Sequence, residues 1–219
     1  MRQYELIVFD WDGTLMDSTG HIVKCMQQAI AELKLPPLEN SAVSHIIGLG
    51  LNEATQALYP GIDAQTTDAL ADEYRRIWLQ NPHDTPLFDN AKNLLTRLNH
   101  QEYFLGVATG KSRKGLNKVL ESSELTSLFH ATRCADECHS KPHPQMIEEL
   151  IDYCGVMPNK TLMIGDTEYD LQMAHNAGAD SLAISHGAHG IETLEACRPQ
   201  AIVDDLFQVE HWLNNLSCS

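Results

Sequence analysis

Ten residues near the start of the chain decide its fold: Leu6-Ile7-Val8-Phe9-Asp10-Trp11-Asp12-Gly13-Thr14-Leu15. A short apolar run that ends in a polar, glycine-containing turn is typical of a buried parallel strand. Asp10 and Asp12 follow this run and alternate across Trp11, so a looped backbone can direct both carboxylates into one volume. The stretch therefore predicts a strand that delivers two carboxylates to one edge of a sheet.

The same pattern of a short apolar run followed by turn residues recurs five times downstream. These runs are Tyr103–Ala108, Leu128–Thr132, Thr161–Ile164, Ser181–Ile184 and Ala201–Val203, of which the second is the least apolar. Helical stripes lie between them, for example Ala91, Leu94, Leu95 and Leu98. Because strands alternate with helices, we expect an α/β fold with a doubly wound, Rossmann-like parallel sheet.

Residues 17–82 interrupt this alternation. They contain no convincing strand pattern, only helical patterns at Ile22–Leu33, Ser41–Ile47, Asn52–Leu58 and Ala64–Leu79. We therefore expect an all-helical domain, residues 17–82, inserted into a core made of residues 1–16 and 83–219. Asp17-Ser18 and Pro82–Pro86 are the expected hinges.

The composition limits the partners of the protein. The chain has 219 residues, 43% of them hydrophobic, and its formal net charge is −15. An acidic surface repels nucleic acid and anionic lipid, so we expect neither as a partner. No run approaches the roughly 18–20 apolar residues that span a bilayer, and the six cysteines have no disulfide-framework spacing. We expect a cytoplasmic protein, monomeric or homodimeric, in which an anionic substrate meets a local positive site.

Polar residues follow the predicted strands at the edge where ligands bind in such sheets. Thr109-Gly110-Lys111 follows the second strand, Lys141-Pro142 the third-strand region, and Gly165-Asp166 the fourth. Asp10, Asp12 and Asp166 would repel one another unless a cation lay among them. Hard oxygen ligands with room for water and phosphate suit Mg²⁺, and that ion with Lys141 would supply the positive site.

Four of these segments, taken in order, resemble the motifs of haloacid-dehalogenase-like phosphatases. Asp10–Leu15 is similar to the DxDGT motif, Thr109-Gly110 to the second motif, Lys141-Pro142 to the third, and Gly165-Asp166 with Asp170 to the fourth. Their order and spacing agree over nearly the whole chain. The helical insertion resembles the C1-type cap of that superfamily, and the closest overall resemblance is to its phosphoglycolate-phosphatase-like members.

The resemblance implies a role for each motif in phosphate transfer. Asp10 would attack phosphorus and form an aspartyl-phosphate, while Asp12 would protonate the leaving oxygen and later accept a proton from water. Thr109, the amide of Gly110 and Lys141 would bind the phosphate oxygens.

The resemblance also implies a metal site. Asp10, the carbonyl of Asp12 and Asp166 would bind Mg²⁺, and Asp170 would support these ligands from outside the ligand set. The family's dehalogenases lack the second aspartate, so Asp12 favours phosphoryl transfer. The expected function is Mg²⁺-dependent hydrolysis of a small phosphorylated metabolite.

Several alternatives remain open at this stage. A phosphomutase similar to β-phosphoglucomutase would share these motifs, and a pyrophosphatase would fit as well. A phospho-accepting receiver also combines Asp, Thr, Lys and Mg²⁺, but receivers lack an equivalent of Asp12 and a cap. The sequence does not define a chemical role for six further residues. His45, Arg75 and Arg76 are candidates in the cap for contact with the substrate, His186 and His189 are candidates for the mouth of the site, and Glu168 is expected at the surface.

Overall fold

The computed structural model describes residues 3–80 and 85–216. Six strands form one sheet: β1 (Leu6–Phe9), β2 (Phe104–Thr109), β3 (Ala131–Cys134), β4 (Thr161–Gly165), β5 (Asp180–Ile184) and β6 (Ile202–Val203). All pairings are parallel and the order is β3-β2-β1-β4-β5-β6. The predicted α/β class is confirmed, and the first strand of the chain lies at the centre of its sheet.

The strand β1 is buried on both faces, which explains its continuous apolar run. Ile7 and Phe9 belong to one hydrophobic cluster of the core, and Leu6 and Val8 belong to the cluster on the opposite face. Successive side chains of a strand point to opposite faces, so a strand covered by helices on both sides requires apolar residues at every position.

One predicted strand is wrong in its position. The prediction was Leu128–Thr132, whereas Thr126–Leu128 forms a 3₁₀ turn and β3 begins at Ala131. This is an edge strand, and Ala131, Thr132 and Arg133 are only partly buried. Its own sequence is therefore not apolar enough to mark it, whereas the preceding Leu128 and Phe129 are apolar because they pack against the core from the turn.

Four helices follow β1 and form a segment with a core of its own. They are α1 (Thr19–Glu32), α2 (Asn40–His45), α3 (Leu51–Leu58) and α4 (Ala64–Gln80), close to the four predicted ranges. Met26 and Ile30 of α1, Val43 of α2 and Leu70 of α4 share one hydrophobic cluster. We call Thr19–Gln80 the helical segment.

The chain leaves and re-enters the sheet domain through two adjacent stretches. Met16 forms an antiparallel bridge with Leu87, and the amide of Asp17 donates to the carbonyl of Pro86 at 2.9 Å. The predicted hinge Asp17-Ser18 lies directly after this bridge. Of the predicted hinge Pro82–Pro86, residues 82–84 lie outside the described residues.

Within residues 85–216, six further helices cover the sheet: α5 (Ala91–His100), α6 (Arg113–Ser122), α7 (Gln145–Cys154), α8 (Glu168–Asn176), α9 (Ile191–Ala196) and α10 (Leu206–Leu216). Helices α5, α6 and α10 contribute buried leucines to one face of the sheet, and α7 and α8 pack on the other. No helix in the described part of the chain is long and apolar enough to cross a membrane.

The burial of α5 predicts a stability difference between two neighbouring residues. Leu94 is fully buried in the core and Asn93 is exposed. We expect Leu94→Ala to lower the free energy of unfolding by about 2–5 kcal/mol, because it removes buried methyl groups and leaves a cavity. Asn93→Ala is the control and should change it by less than about 0.5 kcal/mol. Urea unfolding of both variants measures this, and equal losses would contradict the packing described for α5.

Candidate active site

Three neighbouring strands bring the predicted site residues together. Asp10 directly follows β1, Thr109 ends β2, and Asp166 directly follows β4. Since Phe9 pairs with Val107 on one side and with Ile164 on the other, these three positions lie side by side at the carboxyl edge. All three side chains are buried.

Lys141 lies at the centre of the site. Its Nζ is 2.7 Å from Oδ1 of Asp10 and 2.6 Å from Oδ1 of Asp170, and its side chain is completely buried. Burial alone would lower the pKa of this ammonium, but the charges of Asp10 and Asp170 outweigh that effect and raise the pKa. Lys141 is therefore a permanent positive charge against Asp10.

Asp170 holds Lys141 and is itself fully engaged. Its Oδ2 accepts hydrogen bonds from the backbone amide of Thr167 at 3.1 Å and from the Thr167 hydroxyl at 2.7 Å. This is a capping box at the start of α8, where a carboxylate also interacts favourably with the helix dipole. Asp170 thus fixes the position of Lys141.

Asp166 is fixed from two sides. The Thr14 hydroxyl donates to its Oδ1, and the Ala188 amide donates to its Oδ2, each at 2.7 Å. Two glycines leave the space that the carboxylate of Asp166 occupies. A Cβ added at Gly13 would lie 2.2 Å from Oδ2 of Asp166, and a Cβ added at Gly187 would lie 2.0 Å from it. Gly13 also has a φ of +82°, which favours glycine.

The charges of this cluster are not balanced by the protein alone. Oxygens of Asp10, Asp166 and Asp170 lie within 4.8 Å of one another, and Lys141 offsets only one of the three charges. Burial raises the pKa of Asp10 well above its usual value although Lys141 opposes the rise, and the charges of Asp170 and Asp166 add to it. Burial, with the charge of Asp170, raises the pKa of Asp166 to about 7. Oδ2 of Asp10 is buried without a hydrogen-bond partner among the described residues.

Asp12 makes its contacts outside this cluster. Its Oδ1 accepts a hydrogen bond from the Ser18 hydroxyl at 2.5 Å and lies 2.9 Å from Nζ of Lys111. The carboxylate of Asp12 therefore has partners different from those of Asp10, although only Trp11 separates them. Two adjacent carboxylates with separate partners can perform separate chemical roles.

The second motif lies beneath a loop of the helical segment. The Thr109 hydroxyl accepts from the amide of Lys111 at 3.2 Å. A Cβ added at Gly110 would lie 2.4 Å from the carbonyl oxygen of Leu49, so the loop Ile47–Gly50 lies directly against the core. The amide of Gly50 donates to the Ser140 hydroxyl at 2.8 Å, which fixes the loop next to Lys141.

A histidine cluster forms a second contact between the helical segment and the core. Nδ1 of His189 accepts from the amide of Glu168 at 3.1 Å, and its Nε2–H donates to the carbonyl of His45 at 2.9 Å. Burial lowers the pKa of His189, which agrees with this neutral tautomer. His45 stacks on His189 and lies 3.3 Å from Oε1 of Glu168. Glu168 is therefore partly buried at this contact rather than simply on the surface.

The remaining histidine at the mouth of the site supports the first motif. His186 Nε2 lies 3.2 Å from the carbonyl oxygen of Thr14, and its ring stacks on Phe88 with centroids 3.7 Å apart. His186 thus joins the DxDGT turn to the stretch by which the chain re-enters the core.

Two of the predicted cap residues have other partners. Arg75 pairs with Asp72, and Arg76 pairs with Glu32 and Glu73, all in exposed ion pairs of α1 and α4. Asp12 is instead contacted by Lys111, and Trp78 of the helical segment lies over the ammonium of Lys111. Tyr74 of the same helix is near enough to Asp12 for the charge of that carboxylate to contribute to the raised pKa of its hydroxyl, of which burial is the larger cause. In the sequence, Trp78 and Tyr74 lie only within the predicted helix Ala64–Leu79, and Lys111 is only the neighbour of the second motif.

The fold and the site together define a class: a doubly wound α/β enzyme with an aspartate-rich site at the carboxyl edge of its sheet. The model of the haloacid dehalogenase-like hydrolase family matches residues 7–184. The chain belongs to this family.

Individual relatives match over nearly the whole chain. A protein named as a probable phosphatase, IndB, from Dickeya dadantii is 34% identical, with 98% of this chain and 96% of that one covered. A phosphoglycolate phosphatase from Aliivibrio fischeri is 29% identical, with 92% of each covered. The crystal structure of a hydrolase from Pseudomonas syringae has a TM-score of 0.89 at 21% identity and covers 97% of this chain and 98% of that one, which shows the shared fold.

The close approach at Gly110 predicts how the loop Ile47–Gly50 responds to a single methyl group. In Gly110→Ala the new Cβ would meet backbone oxygens of Leu49 and Gly48, so the loop must move away from the core. We expect faster hydrogen exchange at the Gly50 amide, because its bond to Ser140 is then lost.

Gly115→Ala is the matched control for that experiment. Its Cβ would meet nothing nearer than Oγ of Ser112 at 3.4 Å, an ordinary contact. If the exchange rate at Gly50 is the same in both variants, the loop does not rest on Gly110.

Proposed function

We propose that this protein is a Mg²⁺-dependent phosphatase that hydrolyses a small phosphorylated metabolite through an aspartyl-phosphate on Asp10. The observation that carries the proposal is the state of Asp10. One of its oxygens is bound by Lys141, and the other is buried without a hydrogen-bond partner among the described residues. Such a carboxylate has an oxygen available for a metal or a phosphorus atom.

The residues present fit a magnesium ion. Asp10 and Asp166, with the carbonyl of Asp12, would hold it, and Asp170 would act only through Lys141. The donors are hard oxygens in a cluster with excess negative charge, which suits Mg²⁺. When bound, the ion neutralises negative charge that develops on a transferring phosphoryl group.

The nucleophile is Asp10, and the phosphate is oriented by three groups around it. The hydroxyl of Thr109 and the amide of Gly110 are donors at the carboxyl end of β2, and the ammonium of Lys141 comes from the stretch between β3 and α7. Donors that are already fixed before the reaction cost no reorganisation when charge builds on the phosphate oxygens. The network Thr167–Asp170–Lys141 provides that rigidity here.

Asp12 transfers the protons. In the first step it gives a proton to the leaving oxygen, and in the second it takes one from the water that attacks the aspartyl-phosphate. Ser18 and Lys111 contact its carboxylate, whereas Asp10 is bound by Lys141, so each aspartate lies next to a different lysine. This separation supports the division into nucleophile and acid–base.

The helical segment acts as a cap, which we place at residues 17–82 between core segments 1–16 and 83–219. Its contacts to the core include Gly110, Ser140 and His189, all of them next to the catalytic groups. A cap in this position excludes water other than the attacking molecule and contributes side chains to substrate binding.

The comparisons support a phosphatase rather than another hydrolase, since both relatives bear that name. A phosphoglycolate-like substrate is one member of the class that we propose. The five described cysteines are free thiols, which supports a reducing, cytoplasmic location. The protein would act as a monomer or homodimer.

The metal site predicts a dependence on Mg²⁺ that a single methyl group added next to Asp166 can alter. Hydrolysis of an aryl phosphate should be lost in chelator and restored by Mg²⁺. Gly187→Ala forces Asp166 to move, so we expect the Mg²⁺ concentration for half-maximal rate to rise about 10- to 100-fold.

Gly190→Ala is the control, because a Cβ there meets nothing within 4 Å. It should leave the Mg²⁺ requirement unchanged. Full activity in EDTA would refute the proposed metal site. An unchanged Mg²⁺ requirement in Gly187→Ala would show that Asp166 is not a metal ligand.

Substitution of Asp10 and substitution of Asp12 should change the hydrolysis rate in different ways. Asp10→Asn should abolish turnover and any covalent phosphoenzyme. Asp12→Asn removes proton transfer, worth about 10²–10⁴-fold, so alkyl phosphates should lose more rate than aryl phosphates, whose leaving groups need little protonation. Steady-state rates with both ester types measure this.

The second step gives an independent readout of the same variants. Water attack lacks its base in Asp12→Asn, so phosphoenzyme should accumulate on Asp10 and be detected by mass after rapid quench. Equal losses for both ester types, with no trapped phosphoenzyme, would show that Asp12 does not transfer the protons.

A further inference from the structure

Lys111 lies at the meeting point of the core and the helical segment, next to the acid–base residue. Its Nζ is 2.9 Å from Oδ1 of Asp12, and only 12% of its side chain is exposed. The same Nζ is 5.1 Å from the centre of the Trp78 ring in α4, within the range of a cation–π interaction. A partly buried ammonium in this place has lost water that a surface lysine keeps.

The wall around Lys111 is aromatic and comes from the helical segment. Trp78 contacts the rings of His21 and Tyr74, with centroids 4.5 Å and 6.0 Å apart. Tyr74 is partly buried. Burial, with the negative charge of the nearby Asp12, raises the pKa of its hydroxyl. We call Lys111, Trp78, Tyr74 and His21 the Lys111 subsite.

The direction of attack places the leaving group at this subsite. Attack by Asp10 and departure of the leaving oxygen occur roughly in line, so the leaving group lies on the side of the phosphorus opposite Asp10. The residue that protonates the leaving oxygen must also lie there, and Asp12 is in direct contact with Lys111. The rest of the leaving group therefore meets the ammonium and its aromatic wall.

We propose that Lys111 is a specificity-determining residue that binds a negatively charged group on the leaving-group portion of the substrate. This inference rests on the proposed function and adds the class of substrate: phosphate compounds whose leaving group carries its own anion, a carboxylate or a second phosphate. An ammonium has three donors, so Lys111 can bind that anion while it keeps its contact with Asp12. Elsewhere the protein is strongly acidic, which makes a local cation necessary for such a substrate.

A purely structural role for Lys111 makes a different prediction. If Lys111 only held Asp12 in place, its loss would slow every substrate by the same factor, whatever the charge of the leaving group. If Lys111 binds the substrate, its loss weakens the binding of substrates whose leaving group is charged. The main effect is then a higher KM for those substrates.

The test compares two probes of nearly equal shape, 2-phosphoglycolate and its amide. The leaving group of 2-phosphoglycolate, the charged probe, carries a carboxylate, and that of the amide carries no charge. Wild-type protein, Lys111→Met, Lys111→Arg and Lys118→Met are assayed for phosphate release, and thermal unfolding confirms that each is folded. Lys118 is an exposed residue of α6 and serves as the control. Pyrophosphate, as a third probe, shows whether a phosphate can replace the carboxylate.

We expect the wild type to prefer the charged probe in kcat/KM. Lys111→Met should reduce that preference about 10- to 100-fold, the range of one charge-assisted hydrogen bond, with the change mainly in KM. Lys111→Arg should restore most of the preference, and Lys118→Met should not alter it.

Two results would overturn the inference in distinguishable ways. If the wild type hydrolyses an aryl phosphate but does not prefer the charged probe, or if Lys111→Met slows both probes equally, the role of Lys111 is refuted and the phosphatase stands. If the wild type releases no phosphate from any of these compounds, the proposed function fails and the inference fails with it.

Discussion

The site depends on one interaction, the contact of the buried Lys141 ammonium with Asp10 and Asp170. Carboxylates are costly to bury unless they are paired, and here three of them lie within 4.8 Å of one another. Lys141 makes that possible, and Asp170 keeps it in place through the capping box with Thr167. The start of helix α8 therefore controls the position of the positive charge that lies against Asp10, the proposed nucleophile, at the end of β1.

The second constraint is the close approach of neighbouring groups to the backbone of three glycines at the edge of the sheet. Gly110 lies beneath the carbonyl of Leu49, and Gly13 and Gly187 lie against the carboxylate of Asp166. In each case a side chain would occupy the space that the neighbouring group needs. The glycines thus allow a loop of the helical segment and the carboxylate of Asp166, a proposed metal ligand, to come as near as the proposed mechanism requires.

The sequence was sufficient for the centre of the fold and for the charged groups of the site. β1 is predictable because it is covered on both faces, and Asp10, Asp166 and Lys141 because they follow strands or form motifs in a fixed order. β3 was misplaced because an edge strand needs few apolar residues. Lys111, Trp78 and His189 could not be given roles, because their contacts join elements far apart in sequence, and the orientation of α4 over the site is not encoded in any local pattern.

If phosphate passes through a covalent intermediate on Asp10, the stereochemistry at phosphorus distinguishes this route from direct attack by water on the substrate. A phosphorothioate ester made chiral with ¹⁸O can be hydrolysed by the wild-type protein in ¹⁷O-labelled water, and the configuration of the thiophosphate product determined. Transfer to Asp10 and then to water involves two in-line displacements, each of which inverts phosphorus. We therefore expect overall retention of configuration. Overall inversion would mean that water attacks the substrate in a single step, and it would refute the aspartyl-phosphate on Asp10.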